Sequence, residues 1–198
     1  MIALALAAAF VVGSIPFGYV IGRIFYRTDI RAQGSGNIGA MNALRTLGKE
    51  GAIAVLLLDA AKGFLPVLLV LLAGWGWTAA SLIAGATVLG HCFSPWLGWK
   101  GGKGVATSLG AVFALSWPVG LIGVALWLLG AAATKYSSVG SMLASVAAPL
   151  ALWYFTHSAA ATAYGIFAAI LILYAHRENL ARLRAGRENP VGLFSRKQ

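Results

Sequence analysis

The sequence contains one cysteine, Cys92, in 198 residues. A lone thiol excludes an intrachain disulfide and a CxxC metal site. Acidic residues are almost as scarce, five Asp and Glu against fifteen Lys and Arg. The three histidines, His91, His157 and His176, are widely spaced and have few carboxylates beside them. No metal site and no other cofactor is therefore expected. Charge of either sign is short too, at 10% of residues, while 60% are hydrophobic and the mean hydropathy is +0.82. Soluble domains carry nearer ~45–50% apolar residues, so a soluble globular domain is excluded. The first basic residue, Arg23, follows the first apolar run instead of preceding it. That order argues against a cleavable signal sequence and predicts an external amino terminus.

What the chain does have is long apolar runs with basic residues gathered between them. Fourteen of the fifteen Lys and Arg fall in clusters: Arg23 to Lys49, Lys100 with Lys103, Lys135, and Arg177 to Lys197. The connections around residues 74–78, 116–118 and 156–160 carry no charge. Basic loops stay in the cytoplasm, so this asymmetry predicts both a class and an orientation. The expected fold is an all-α polytopic membrane protein with seven transmembrane helices, its carboxy terminus cytoplasmic. The uncharged stretch 105–134 is too long for one span: as a single helix it would measure ~45 Å against a ~30 Å hydrocarbon core. A hairpin turning at Ser116-Trp117-Pro118 shortens each arm and keeps Lys135 inside. The predicted spans are approximately 2–24, 51–73, 79–93, 105–115, 119–134, 138–155 and 160–175, in a single membrane domain. The net charge of +10 sits beside the membrane, which points to lipid headgroups and phosphorylated substrates and away from nucleic acid.

Three loops and one intramembrane pair carry polar chemistry. In the first, Ser35-Gly36-Asn37-Ile38-Gly39-Ala40-Met41-Asn42, small residues let a backbone nest approach an anion, and Arg45 adds a planar cation for phosphate. These residue types fit a flexible connecting loop equally well. The second, Gly101-Gly102-Lys103-Gly104, opens an apolar helix, where unpaired amides and an ammonium group favour phosphate. Its spacing is not that of a nucleotide P-loop, and a headgroup anchor is the alternative. In the third, His176 and Asn179 share a face if the last span continues as helix, with Arg177, Arg182 and Arg184 free to reach water or headgroups. An amphipathic tail on the anionic leaflet explains some of those arginines but not a His-Asn pair. Asp59 and Lys62, inside the second span, read as a structural ion pair. His91 reads as a structural or supporting residue, and Cys92 as a packing residue.

Taken together, residues 13–18, Asp29 to Arg31, Gly34 to Ala40, Gly101 to Thr107, and His176 to Asn179 with Arg182-Leu183 and Gly186 to Glu188 resemble the bacterial acyl-phosphate-dependent glycerol-3-phosphate acyltransferases. The resemblance spans nearly the whole chain. It implies transfer of an acyl group from acyl phosphate to glycerol 3-phosphate, giving 1-acyl-glycerol 3-phosphate for phospholipid synthesis at the cytoplasmic face of a bacterial inner membrane. By the same resemblance Ser35 and Arg45 are the essential serine and arginine, and the Gly101-Lys103-Gly104 turn binds glycerol 3-phosphate; from the residue types themselves Gly36, Asn37 and Gly102 are also expected to bind substrate phosphate. His176 and Asn179 are the activity-linked pair, and Glu188 maintains structural integrity. Met41 and Leu180 depart from the usual residues without removing a needed group.

An acyl phosphate is already activated, so direct transfer without a protein nucleophile is expected. Either His176 or a substrate phosphate oxygen would take the hydroxyl proton. The expected partners are the two substrates and membrane lipids, with no nucleic acid and no obligate protein partner. The competing class is a transporter of a small phosphorylated solute, which should show a polar path through the bilayer.

Overall fold

The structure, a computed structural model, describes residues 1–191; Arg196 and Lys197 of the last basic cluster lie outside them. Among the described residues there is no β-strand. Ten α-helices follow one another: α1 Ile2–Ser14, α2 Phe17–Phe25, α3 Ala40–Thr46, α4 Gly48–Leu72, α5 Gly76–Cys92, α6 Val105–Leu115, α7 Trp117–Thr134, α8 Ser137–Thr156, α9 Ala159–Ala175 and α10 Arg177–Arg184. Four helical segments are long and apolar enough to cross a bilayer, and six if each bent pair is one span. The bent pairs are α1 with α2, at 43°, and α9 with α10, at 53°. Pro16 explains the first bend, because it supplies no N–H to the ladder where the helix turns. The remaining apolar helix, α6, has 11 residues and rises only ~16 Å, about half the hydrocarbon thickness. It does not cross by length alone.

Two further features differ from the sequence-based expectations. Residues 26–50 are not one irregular loop: they contain a 3-10 turn at Ile30–Ala32, helix α3, and the first turn of α4. Asp29 pins the turn by accepting from the Arg31 amide at 3.0 Å and pairing with both Arg31 and Arg23. Those bonds, the Arg31 side chain first, hold its carboxyl down at about 2. Nor does the last span run on into the third motif as one helix. It breaks at His176, which ends α9 and begins α10.

Helices in lipid gain nothing from hiding apolar surface from one another, so close packing and polar contacts hold the bundle. The α4–α6 crossing shows how close. A Cβ at Gly63 would overlap the Thr107 carbonyl, and one at Gly110 would overlap that of Ala60. Leucine side chains on α4, including Leu57 and Leu69, are instead exposed to the surroundings, as expected for lipid-facing surface. The basic connections meet at one end of the bundle. There Val191 donates to the Lys135 carbonyl, Arg45 reaches the carbonyls of Asn189 and Pro190, and Lys103 bonds Asn179.

Candidate active site at the basic end of the bundle

A cavity of about 290 Å³ opens among these basic connections. Its wall includes Ser35, Asn37, Arg45, Lys103, Gly104, His176, Asn179 and Glu188, so all three loops singled out in the sequence meet there. Asp59 and His91 reach the same cavity from α4 and α5. Gly36, Gly101 and Gly102 do not line it.

In the two glycine loops, five backbone amides are bonded within the protein. Gly101 N–H donates to the Cys92 carbonyl and Gly102 N–H to that of His91, each at 3.0 Å. In the first loop, Ser35 N–H donates to Asn42 Oδ1 at 2.8 Å, Gly39 N–H to Asn37 Oδ1 at 2.8 Å, and Gly36 N–H to the Gln33 carbonyl. What the glycines provide is space. A Cβ on Gly102 would collide with the His91 ring, so the loop can lie flat on α5. Gly104 then turns the chain at φ +80° into α6, whose amino end has no side-chain cap. The free end of that helix, with Val105 and Ala106 in the wall, is where unsatisfied amides face the cavity.

The positive charge comes from side chains. Lys103 is half-buried and its ammonium donates to Asn179 Oδ1. Burial, then the field of Arg182, brings its pKa down to about 8. Arg45 reaches the rim from α3, bound to the carbonyls of Asn189 and Pro190 at 3.4 and 3.2 Å. Arg182 was expected to face water or headgroups. Instead it turns inward, Nε donating to Glu188 Oε2 at 2.8 Å, and lines the cavity.

Glu188 is the hub of this cluster. Its buried carboxylate also accepts from Asn179 Nδ2 at 2.5 Å and from Ser138 Oγ at 3.0 Å. A continuous chain therefore links Lys103, Asn179, Glu188 and Arg182, with α8 attached through Ser138. This arrangement fixes the Asn179 amide: its oxygen faces Lys103 because its nitrogen is held by the carboxylate.

His176 is buried, and its Nδ1 lies 2.8 Å from the Ile172 carbonyl. A carbonyl can only accept, so Nδ1 carries the proton and Nε2 is left as the ring's acceptor. Burial, then the Lys103 charge, pushes the imidazole pKa down to about 4, which keeps the ring neutral near pH 7.

Beneath the glycine loop, Lys62 Nζ sits 2.8 Å from Asp59 Oδ1 and donates to the Ile15 carbonyl at 2.7 Å. His91 Nδ1 is 3.7 Å from the same Asp59 oxygen. These three side chains are buried between α4, α5 and the α1–α2 break. Cys92 is buried in the apolar core and is not part of the cavity wall.

Sequence reasoning placed Asn42 within the first loop and missed Arg182 and Ser138 as parts of the site. Arg182 could have been found, since it follows Asn179 at the same three-residue spacing that joins Asn179 to His176. Asn42, only 1% exposed, ties the first loop by donating to the carbonyls of Ile30 and Gln33 while accepting from Ser35. Nothing in the local sequence around Ser138 signals its bond to Glu188.

Residues 3–186 match the family model described as glycerol-3-phosphate acyltransferase. Among curated relatives, the glycerol-3-phosphate acyltransferase of Synechococcus sp. (strain JA-2-3B'a(2-13)) is 46% identical over 189 residues, 96% of this chain and 94% of that one. The enzyme of the same name from Rhodopseudomonas palustris (strain BisB5) is 43% identical over 189 residues, 95% of each. Two solved structures are similar throughout. One is the glycerol 3-phosphate form of PlsY (YgiH), an integral membrane glycerol 3-phosphate acyltransferase, with a TM-score of 0.92 and 38% identity, covering 98% of this chain and 99% of that one. The other is its lysophosphatidic acid form, with a TM-score of 0.89 and 37% identity over the same coverage.

Proposed function

This chain belongs to the glycerol-3-phosphate acyltransferase family, and from that premise we propose that it moves an acyl group from acyl phosphate to the 1-hydroxyl of glycerol 3-phosphate. The products are 1-acyl-glycerol 3-phosphate and inorganic phosphate. One observation carries the reading: Arg45, Lys103 and Arg182 surround a cavity that also holds a neutral histidine with a free ring nitrogen. With acyl phosphate as the donor, the site must bring two phosphorylated molecules together. Their mutual repulsion grows as water is excluded, so fixed cations are the first requirement.

In the proposed reaction the glycerol 1-oxygen attacks the acyl carbonyl carbon. The new ester C–O bond forms as the C–O bond to phosphate breaks, and phosphate leaves with the electron pair. The hydroxyl proton passes to His176 Nε2, the ring's open acceptor, which returns it to the departing phosphate. Lys103 and Arg45 hold phosphate charge, with Lys103 aimed by Asn179 and that residue in turn by Glu188.

No acyl-enzyme is required. Among the described residues Ser35 Oγ has no hydrogen-bond partner, so no base stands ready to activate it. Its role in this reading is to donate to a phosphate or carbonyl oxygen. The basic loops that surround the site support its cytoplasmic placement.

The test is conversion of radiolabelled glycerol 3-phosphate by purified protein in detergent, with acyl phosphate, acyl-coenzyme A and acyl carrier protein compared as donors. Lipid product with acyl phosphate alone is the expected result. Product with a thioester donor instead would overturn the donor assignment. Uptake into liposomes without lipid product would replace the enzyme by a transporter.

A further inference from the structure

The ion pair beneath the glycine loop does more than hold helices together. Asp59 and Lys62 are 1% and 3% exposed, and apolar residues of similar volume commonly stabilise a protein as well as a buried ion pair or better. Asp59 also reaches the active-site cavity, together with His91. A carboxylate there repels phosphate unless a cation neutralises it, and Lys62 Nζ stands 2.8 Å away. Lys62 is pinned in turn by the Ile15 carbonyl at 2.7 Å, beside Pro16. Ser94, on the segment leading to the glycine loop, donates to the adjoining Ser14 carbonyl at 2.7 Å. The α1–α2 break thus anchors both the ion pair and the chain that carries the loop.

His91 joins the ion pair to the loop. Its Nδ1 faces Asp59 Oδ1 at 3.7 Å, and neither atom completes a hydrogen bond among the described residues. An ionised carboxylate only accepts, so Nδ1 carries the ring proton. The ring also lies under Gly102. The three atoms nearest to a Cβ added at Gly102 all belong to the imidazole, Nε2 among them. Gly102 has no left-handed backbone angle, so it is the imidazole that requires glycine at this position. Gly101 differs, because a Cβ there would meet the backbone of His91 and Cys92. The ring therefore sets how deep the turn can sit.

Lys103 is the next residue. Its ammonium ends a flexible four-carbon stem and points to one place only if both ends of the stem are held. Asn179 holds the tip, and the Gly102 turn holds the base. We propose that Lys62, Asp59 and His91 are positioning residues that act through Lys103. Lys62 fixes the carboxylate, the carboxylate fixes the imidazole, and the imidazole sets the height from which Lys103 reaches the phosphate of glycerol 3-phosphate. The inference rests on the acyltransferase reading above, in which Lys103 binds that phosphate.

The test is steady-state kinetics in detergent, with glycerol 3-phosphate and acyl phosphate varied separately. A misplacement of about 1 Å can cost up to ~10²-fold, so His91→Ala should raise KM for glycerol 3-phosphate about tenfold or more, with KM for acyl phosphate within about twofold. Adding Lys103→Met to it should cost much less than Lys103→Met costs in the native protein. Gly102→Ala should raise the same KM when made alone. In the His91→Ala background it should cost nothing further or restore part of the loss, because the methyl enters space that the ring has vacated. Asp59→Leu combined with Lys62→Met leaves no buried charge unpaired, so it should keep a near-native Tm and show the His91→Ala kinetics. An unchanged KM in His91→Ala and in the charge-free pair, equal increases in both KM values, or fully multiplying losses in the doubles would overturn the inference. Loss of folding in His91→Ala or in the charge-free pair would assign those residues to stability and overturn it too. Lys103→Met alone separates the two claims. If it leaves KM for glycerol 3-phosphate unchanged, the phosphate assignment of Lys103 fails; if it raises that KM and the His91 series does not, only the positioning fails.

Discussion

The lowered pKa of Lys103 makes the pH dependence of glycerol 3-phosphate capture a quantitative test of the site. Its ammonium is disfavoured by burial and by the neighbouring Arg182, which brings the value from 10.5 to about 8. The charged form is the one that binds phosphate, so binding is present below that value and lost as pH rises through it. One unit above, at pH 9, about a tenth of the sites remain charged, and kcat/KM for glycerol 3-phosphate should fall about tenfold from its plateau. The substrate phosphate, with a second pKa of about 6, adds an acid limb of its own. His176, at about 4, is already neutral there and should not contribute to it. Once phosphate is bound, the dianion offsets the field that depressed Lys103, so the alkaline limb of kcat should move to higher pH than that of kcat/KM.

Substitution makes the assignment specific. Lys103→Met removes one charged hydrogen bond, about 1.5–3 kcal/mol, which corresponds to ~10–150-fold in kcat/KM at pH 7. It should also flatten the alkaline limb. Lys103→Arg keeps the charge through the whole range, so its lower plateau should extend past pH 9. The assay is the initial rate with labelled glycerol 3-phosphate at saturating donor, from pH 5.5 to 9.5. An alkaline limb with the native midpoint in Lys103→Arg would assign that titration to another group. A native plateau reaching pH 9.5 would refute the reasoning outright.

Four further outcomes are expected. His176→Gln should lower kcat by ~10²–10⁴-fold with little change in KM, the range for a positioned general base; an effect on KM alone would make it a binding residue. Glu188→Gln leaves Arg182 without its buried anionic partner, only the exposed Glu178 remaining at 4.0 Å, and should destabilise the protein by about 1.5–3 kcal/mol, read as a lower Tm in detergent, and an unchanged Tm would deny Glu188 its role as hub. On a Cys92→Ala background, Trp77→Cys should react with an impermeant thiol reagent in intact cells and Lys49→Cys should not; the reverse pattern would invert the topology. Initial-rate plots in both substrates should intersect, and Cys92→Ala should keep near-native rates. Parallel lines, together with an acylated protein formed from donor alone, would replace direct transfer by a covalent route.

The helical fold was legible because apolar runs and basic loops obey constraints that act one residue at a time. Each lipid-exposed segment must satisfy its own backbone, and each Lys or Arg carries its own cost of crossing. Chain breaks were less legible. Pro16 announces the bend between α1 and α2, but the bend at His176 has no such residue. There the imidazole Nδ1 itself bonds the Ile172 carbonyl as α9 ends, a tertiary arrangement that helical periodicity does not reveal. Helix α3 was missed for a related reason. It has only seven residues, too short to show an amphipathic repeat, and Asn42 within it is committed to tying down the preceding loop.

The candidate site was legible in its residues and much less so in their division of labour. Glycine beside lysine suggests a backbone nest, and the sequence alone gives no reason to think otherwise. In the folded chain those amides bond the carbonyls of His91 and Cys92, and the glycines serve to seat the loop on α5. In the proposed reading phosphate recognition falls to Lys103, Arg45 and Arg182, and the first two are positioned by partners far away in sequence. Lys103 is held by Asn179, Asn179 and Arg182 by Glu188, and Glu188 by Ser138. A motif scan locates the cations but misses this chain, because the Lys103–Asn179 and Ser138–Glu188 links join residues brought together only by helix packing. The consequence can be measured. If the chain aims Lys103, Asn179→Leu should weaken glycerol 3-phosphate capture although the lysine remains, and adding Lys103→Met to it should cost much less than Lys103→Met costs alone. Fully additive losses would mean that Asn179 touches the substrate independently and that the network only holds the fold together.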